Sequence, residues 1–132
     1  MTRQRGQSLV EFALVLPLLL FLLAGGTDLA RAYFVGIQVA DGARQAALYA
    51  SENGATYTYA QLKEIAKNNA SGGGILGCPA ASVSVTAGSS TGSSTLYDQP
   101  VTVVCELPML TPLIPSPVAI RATAKVLIVP GS

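Results

Sequence analysis

The stretch Gly6-Gln7-Ser8-Leu9-Val10-Glu11-Phe12-Ala13-Leu14-Val15-Leu16-Pro17-Leu18-Leu19-Leu20-Phe21-Leu22-Leu23-Ala24 decides how the rest of the chain must be arranged. From Phe12 to Thr27 there are 16 residues without a charge, roughly 24 Å of α-helix and short of the ~30 Å hydrocarbon core of a bilayer. Starting at Gln7 instead gives 21 residues and roughly 31 Å, enough to cross, but this puts Glu11 within or at the edge of the lipid. A carboxylate there costs on the order of 2.5 kcal/mol or more at mid-bilayer, less near the interface, and such residues are usually functional. The span therefore works only if Glu11 is tolerated.

Three readings compete for this segment. In the first it is a removable secretory signal, with Arg3 and Arg5 before an apolar core and the small residues Ala24 and Gly26 spaced for cleavage before Thr27. In the second it is an uncleaved anchor, with Arg3 and Arg5 holding the amino terminus in the cytoplasm and the remainder outside. The third rests on a glycine that closes a short basic leader and is followed at the fifth position by Glu11 and then Phe12. That string resembles the cleavage site of the type IV pilin superfamily, in which the leader is removed on the cytoplasmic side and the apolar segment is kept. An acid at the start of the apolar core is a liability for an ordinary signal. Cleavage after Gly6, by contrast, creates a positive α-amine at Gln7, four residues before Glu11, and the amine of one subunit meeting the carboxylate of a neighbour neutralises two charges that are each costly in lipid. Pro17 fits an anchor or a pilin-like stalk, since a membrane helix tolerates a proline that removes one backbone donor.

Composition agrees with a chain in two regimes. Residues 8 to 50 contain 29 hydrophobic residues in 43, whereas residues 51 to 132 contain 36 in 82, an ordinary globular share. The net charge of +1 without a basic run excludes nucleic-acid binding by phosphate neutralisation, and the absence of His removes the commonest metal and triad chemistries.

The helical pattern continues past Gly26 to Ala50, predicting one helix of about 40 residues whose outer half, 28–50, is a stalk. Leu29, Tyr33, Gly36 or Ile37, Ala40, Ala43 and Ala47 form the apolar face expected to carry the head, with Asp28, Arg31, Asp41 and Arg44 mostly elsewhere. Its glycines read as sites of close helix contact or, at Gly25-Gly26, as a hinge. Asn53-Gly54 ends the helix, a short second helix runs from about Tyr59 to Asn69, and Ser71 to Gly74 is a connector. From Ser82 the period becomes two. Val83 and Val85, then Val101, Val103, Cys105 and Leu107, then Ile120, Ala122, Ala124, Val126 and Ile128 mark the inward faces of three strands. The fold class is α+β: a long amino-terminal transmembrane helix continuing as a stalk, a short second helix, and a small three-stranded antiparallel sheet packed on the helix, in pilin-like fashion.

Gly88 to Thr95 reads as a flexible loop. Pro108 to Pro117 is a proline-rich connection whose Met109, Leu110, Leu113 and Ile114 either fold back onto the end of the sheet or contact lipid or a partner subunit. Cys78 and Cys105 both fall on the extracytoplasmic side, where a bridge between them would contribute roughly 3 kcal/mol by restricting the unfolded chain. Two thiols without His are too few for a structural zinc site, and Glu52, Glu64, Asp98 and Glu106 form no catalytic constellation, so neither metal, cofactor nor enzymatic activity is expected.

Arg5 to Pro17, with Asp28-Leu29-Ala30-Arg31-Ala32-Tyr33 and Asp41-Gly42-Ala43-Arg44-Gln45-Ala46-Ala47-Leu48-Tyr49-Ala50, resembles the TadE-like family of tight-adherence (Flp-type, type IVc) pilus assembly proteins. The resemblance implies a minor pilin or pseudopilin with a leader at 1–6, a transmembrane helix at 7–27, a stalk at 28–50 and a disulfide-bonded extracytoplasmic head at 51–132. It implies that prepilin peptidase cuts between Gly6 and Gln7, that Glu11 is the recognition and assembly acid, and that Phe12 is its adjoining aromatic. The implied partners are membrane lipid, the peptidase, other pilin or pseudopilin subunits and the assembly platform, and the implied location is the cytoplasmic (inner) membrane as a single-pass protein, or the pilus itself. The alternative is a membrane-anchored or secreted extracytoplasmic binding module, which predicts cleavage before Thr27 or none and a pocket with convergent polar groups.

Overall fold

A computed structural model describes residues 6–53, 56–72, 76–88, 91–93, 96–112 and 114–128, with the backbone alone for 91–93 and 96–97. The leader residues 1–5, Leu113 and parts of the Ser71–Gly74 and Gly88–Thr95 segments lie outside the described residues. Helix α1 runs from Gln7 to Asn53 without a break at Pro17 or at Gly25-Gly26, about 70 Å in length. Helix α2 is Tyr59–Ala70, and the strands are β1 Val83–Ala87, β2 Thr91–Ser93, β3 Leu96–Leu107 and β4 Val118–Ile128.

The long β3 is the centre of an antiparallel sheet. Strand β4 lines one of its edges along the whole length, from Tyr97 opposite Ile128 to Leu107 opposite Val118. On the other edge β1 pairs with Val101–Cys105 and β2 with Leu96–Asp98. The sheet is thus three strands wide, and the segment expected to be a loop between the first two strands folds Thr91–Ser93 back as β2. Pro100 sits where that edge passes from β2 to β1. Its carbonyl accepts from the Gly88 N–H at 2.9 Å on the β1 side, so the donor that proline lacks falls at the step between the two short strands.

Register puts the period-two residues in rows: Val85, Val103 and Ala122 form one, and Val83, Cys105 and Ile120 the next. Val101, Val103, Cys105 and Leu107 are wholly buried under α1 and α2, while Thr102 and Thr123 share a 2.9 Å hydroxyl hydrogen bond on the opposite face. The alternation is what a sheet covered on one side requires.

The helix face under the head departs from the one expected. Val35, Val39, Gly42, Ala43, Ala46, Ala47 and Ala50 are buried, whereas Leu29, Tyr33 and Ile37 are 69%, 74% and 53% exposed and Ala40 is exposed. Of the expected stripe Ala43 and Ala47 lie inward, and of the Gly36-or-Ile37 alternatives it is the half-buried Gly36 that faces Ile120 of β4. The reason is close approach. A Cβ on Gly42 would lie 2.7 Å from the Ala66 carbonyl oxygen and 2.8 Å from the Ala70 Cβ, so α2 lies against the run of small residues and a bulkier face would hold it off. Leu62, Ala66 and Ala70 are the buried residues of α2. The Tyr59 hydroxyl donates to the Val85 carbonyl at 3.3 Å and accepts from the Ala87 N–H at 3.4 Å, fixing the start of α2 to β1.

Candidate functional site

Three places carry the sequence-derived site residues. The first is the start of α1. The Gly6 carbonyl accepts the first helical bond, from the Val10 N–H at 3.2 Å, so the Gly6-Gln7 bond stands at the helix boundary with both residues exposed. The Gln7 side-chain amide donates to Glu11 Oε1 at 3.3 Å, one helical turn on, and Phe12 is 58% exposed beside it. No part of the most apolar stretch of α1 is buried by the head, and Leu14, Leu18 and Leu22 are exposed along it. The helix is long and apolar enough to serve as a membrane anchor.

The second place is the disulfide. Cys78 and Cys105 are joined with Cα atoms 6.2 Å apart, and both are buried in the head core. Because Cys105 lies opposite Val83, the bond fixes the segment leading into β1 across to β3.

The third place is the connection between β3 and β4, where helix and loop meet. Asp28 and Arg31, expected on the outside of the stalk, are instead 0% and 5% exposed beneath this loop. Asp28 Oδ1 accepts from the Leu110 N–H at 3.0 Å. Asp28 Oδ2 accepts from the Thr111 N–H at 2.9 Å and from the Thr111 hydroxyl at 2.6 Å. Arg31 Nη1 stands 3.6 Å from Asp28 Oδ1 and donates to the Pro108 carbonyl at 3.3 Å. A buried carboxylate is stable when its lone pairs are taken up by donors in this way, and the guanidinium one turn on adds the compensating charge.

Of the four apolar loop residues singled out in the sequence, Met109 packs partly against the core, Ile114 is half-buried, Leu110 is 63% exposed, and Leu113 lies outside the described residues. The Met109 N–H donates to Ser116 Oγ at 3.1 Å, closing the loop on itself. Sequence reasoning missed Asp28 and Arg31 because charged residues are seldom buried. The available signal was an acid and a base three apart, alone in the 29 residues between Glu11 and Asp41, an expensive pair to keep beside an apolar segment without a partner for it.

A groove between α1 and β4 is lined in part by Asp41, Arg44 and Lys125, with Ile37 and Leu48. Among the described residues no three of His, Cys, Asp and Glu come together as metal ligands would.

Compared with known proteins, residues 6–48 match the family model of TadE-like proteins. Neither the curated proteins nor the solved structures give a match. The matched segment contains the Gly6-Gln7 pair, Glu11, the exposed shaft of α1, the Asp28–Arg31 pair and Gly42. The match covers 43 of the 132 residues, so the likeness to TadE-like proteins is that of this segment.

Proposed function

We propose, with the TadE-like match over residues 6–48 as premise, that this chain is a minor pilin or pseudopilin. Prepilin peptidase removes Met1–Gly6, and the mature subunit begins at Gln7. It is held in the cytoplasmic membrane by the first half of α1 with the head outside, and it acts in assembly or anchoring of a tight-adherence pilus together with other pilin subunits and the assembly platform. Division of the chain into a leader at 1–6, a membrane helix beginning at Gln7, a stalk and a head belongs to this reading.

The observation that carries it is the combination, on one uninterrupted helix, of an exposed Gly6-Gln7 bond at the helix start, a lone acid one turn further and an apolar shaft that the head leaves bare. Helical geometry supports a role for Glu11. Residues 7 and 11 lie on one face, as the Gln7-to-Glu11 side-chain bond illustrates, so cleavage after Gly6 places a free α-amine one turn from the carboxylate. Between staggered neighbours the same spacing lets the amine of one subunit neutralise Glu11 of the next, which removes the penalty of both charges in an apolar surrounding. The outward residues Leu29, Tyr33 and Ile37 extend the apolar surface on which neighbouring helices pack.

The test is the intact mass of the protein taken from its native membrane. Loss of Met1–Gly6 is the expected result. A chain that keeps those residues, or one that begins at Thr27, overturns the assignment.

A further inference from the structure

We propose that the Pro108–Pro112 arm of the β3–β4 loop is a second membrane element, which enters the head-side leaflet beside α1 and contacts lipid acyl chains through Leu110 and Pro112. The inference rests on the reading of α1 as a membrane anchor and goes beyond it. Depth is the first argument. A hydrocarbon core of ~30 Å takes up about 20 helical residues. If it begins no earlier than Gln7 and no later than Phe12, its far boundary falls between Gly26 and Arg31. Leu20, Phe21 and Ala24 are inside it for every placement in that range. These three residues share one open groove with Leu110, Thr111 and Pro112, so the tip of the loop stands at hydrocarbon depth.

The second argument is the accounting of backbone donors. Non-helical backbone survives at that depth only when its polar groups are satisfied within the protein. In the Pro108–Pro112 arm the two prolines have no N–H to satisfy. The amides of Leu110 and Thr111 are taken by the Asp28 carboxylate, that of Met109 by Ser116 Oγ, and the Pro108 carbonyl by Arg31. A loop in water needs none of this, because water would serve the same groups.

Charge is the third argument. Between Glu11 and Asp41 the only charged residues of α1 are Asp28 and Arg31, and both are turned under the loop. The surface that α1 presents outward is therefore free of charge from Phe12 to Ala40. The latch that satisfies the loop also removes the two charges that would otherwise keep this level of the helix out of lipid. At the same height, Thr27, Ala30 and Phe34 line a second hollow with the half-exposed Leu76 and the largely buried Arg31.

The chain contains no Trp, so each introduced Trp is a single reporter. The full chain is reconstituted at low density in phosphatidylcholine–phosphatidylglycerol vesicles with or without dibrominated acyl chains. Three variants are compared: Phe21→Trp on the shaft, Leu110→Trp at the loop tip, and Leu127→Trp at the far end of β4. All three positions are more than half exposed, and an intact Cys78–Cys105 bond in each variant verifies that the head has folded. The expected result is bromolipid quenching at position 110 within about twofold of that at position 21, with position 127 quenched by aqueous iodide instead. If position 21 is quenched and position 110 answers to iodide, the loop lies in water and the proposal falls while the anchor stands. If position 110 is shielded from both quenchers, protein covers it, and a second copy rather than lipid is the occupant. If position 21 is not quenched either, the membrane reading of α1 fails and takes the loop with it.

Discussion

Thr111 donates both its backbone N–H and its hydroxyl to the carboxylate of Asp28, at 2.9 and 2.6 Å, across 83 positions of sequence. The contact joins the first turn of α1 beyond its uncharged segment to the loop that closes the sheet. Leu110 adds a third donor and Arg31 a fourth group, so helix, loop and sheet end are fixed at one point.

Asp28→Ala should release that point. The amides of Leu110 and Thr111 lose their acceptor, and Arg31 loses its carboxylate. Hydrogen exchange at those two amides should accelerate by on the order of tenfold or more, the equivalent of one net hydrogen bond, while exchange in β3 at Val103 changes far less. Thr111→Val removes only the hydroxyl and should give a smaller effect at the same amides. Unchanged exchange at Leu110 and Thr111 in Asp28→Ala would mean that the carboxylate does not hold the loop.

Gly42→Ala sets two effects against each other. Alanine favours a helix interior over glycine by ~1 kcal/mol. Here, however, the added methyl group meets the Ala66 carbonyl oxygen at 2.7 Å and the backbone of Ala70 at 2.9 Å, and carbonyl oxygen cannot rotate aside. Overpacking of this kind costs about 1 to 3 kcal/mol, so a net loss of head stability is expected, with a lower urea midpoint and an unchanged slope. A variant as stable as the parent would show that α2 sits further from α1.

Removing the disulfide should cost the head more than either change. The bond joins residues 27 apart, a loop for which the chain-entropy model gives about 3 to 4 kcal/mol. The double variant Cys78→Ala with Cys105→Ala also leaves small gaps in the core under α1, since both residues are buried there. The measurement is thermal unfolding in detergent with and without reductant. Equal midpoints for the oxidised parent and the double variant would remove the bond from the account of stability.

The parts of this structure that were legible in the sequence are those where one period has one solution. Val101, Val103, Cys105 and Leu107 could face the core only together, because a pleated strand turns alternate residues to opposite sides, and the register then carries Ile120, Ala122 and Ala124 to the same face. The stalk did not have that property. In an alanine-rich helix several stripes at spacings of three and four are apolar, and Leu29, Tyr33 and Ile37 look as good as Val35, Val39 and Gly42 by hydrophobicity alone. The choice was made by shape, through the small residues that admit α2, and by the burial of Asp28 and Arg31. Likewise nothing local marks Thr91–Ser93 as a strand, since its pairing with β3 is a tertiary event. At the start of α1 the motif Gly6 to Phe12 was plain, but its meaning is chemical rather than structural and lies in what happens to the chain in the membrane.

Glu11 is the residue on which that meaning turns. It is exposed, it is the sole charge between Gln7 and Thr27, and in the uncleaved chain its carboxylate accepts from the Gln7 side-chain amide at 3.3 Å. If its task is to neutralise the α-amine of a neighbouring mature subunit, charge reversal is worse than charge removal. Glu11→Gln leaves one unpaired amine, whereas Glu11→Lys sets two like charges together in an apolar surrounding, where the repulsion is weakly screened. Incorporation into complexes with other pilin subunits, read by crosslinking and copurification from the membrane, should fall for Glu11→Gln and fall further, by on the order of tenfold or more, for Glu11→Lys. Intact mass separates this from a failure of cleavage, because a variant that has lost Met1–Gly6 yet does not copurify has lost the pairing and not the processing. A Glu11→Lys chain that is cut and incorporated as well as the parent would leave the α-amine of Gln7 without its proposed partner.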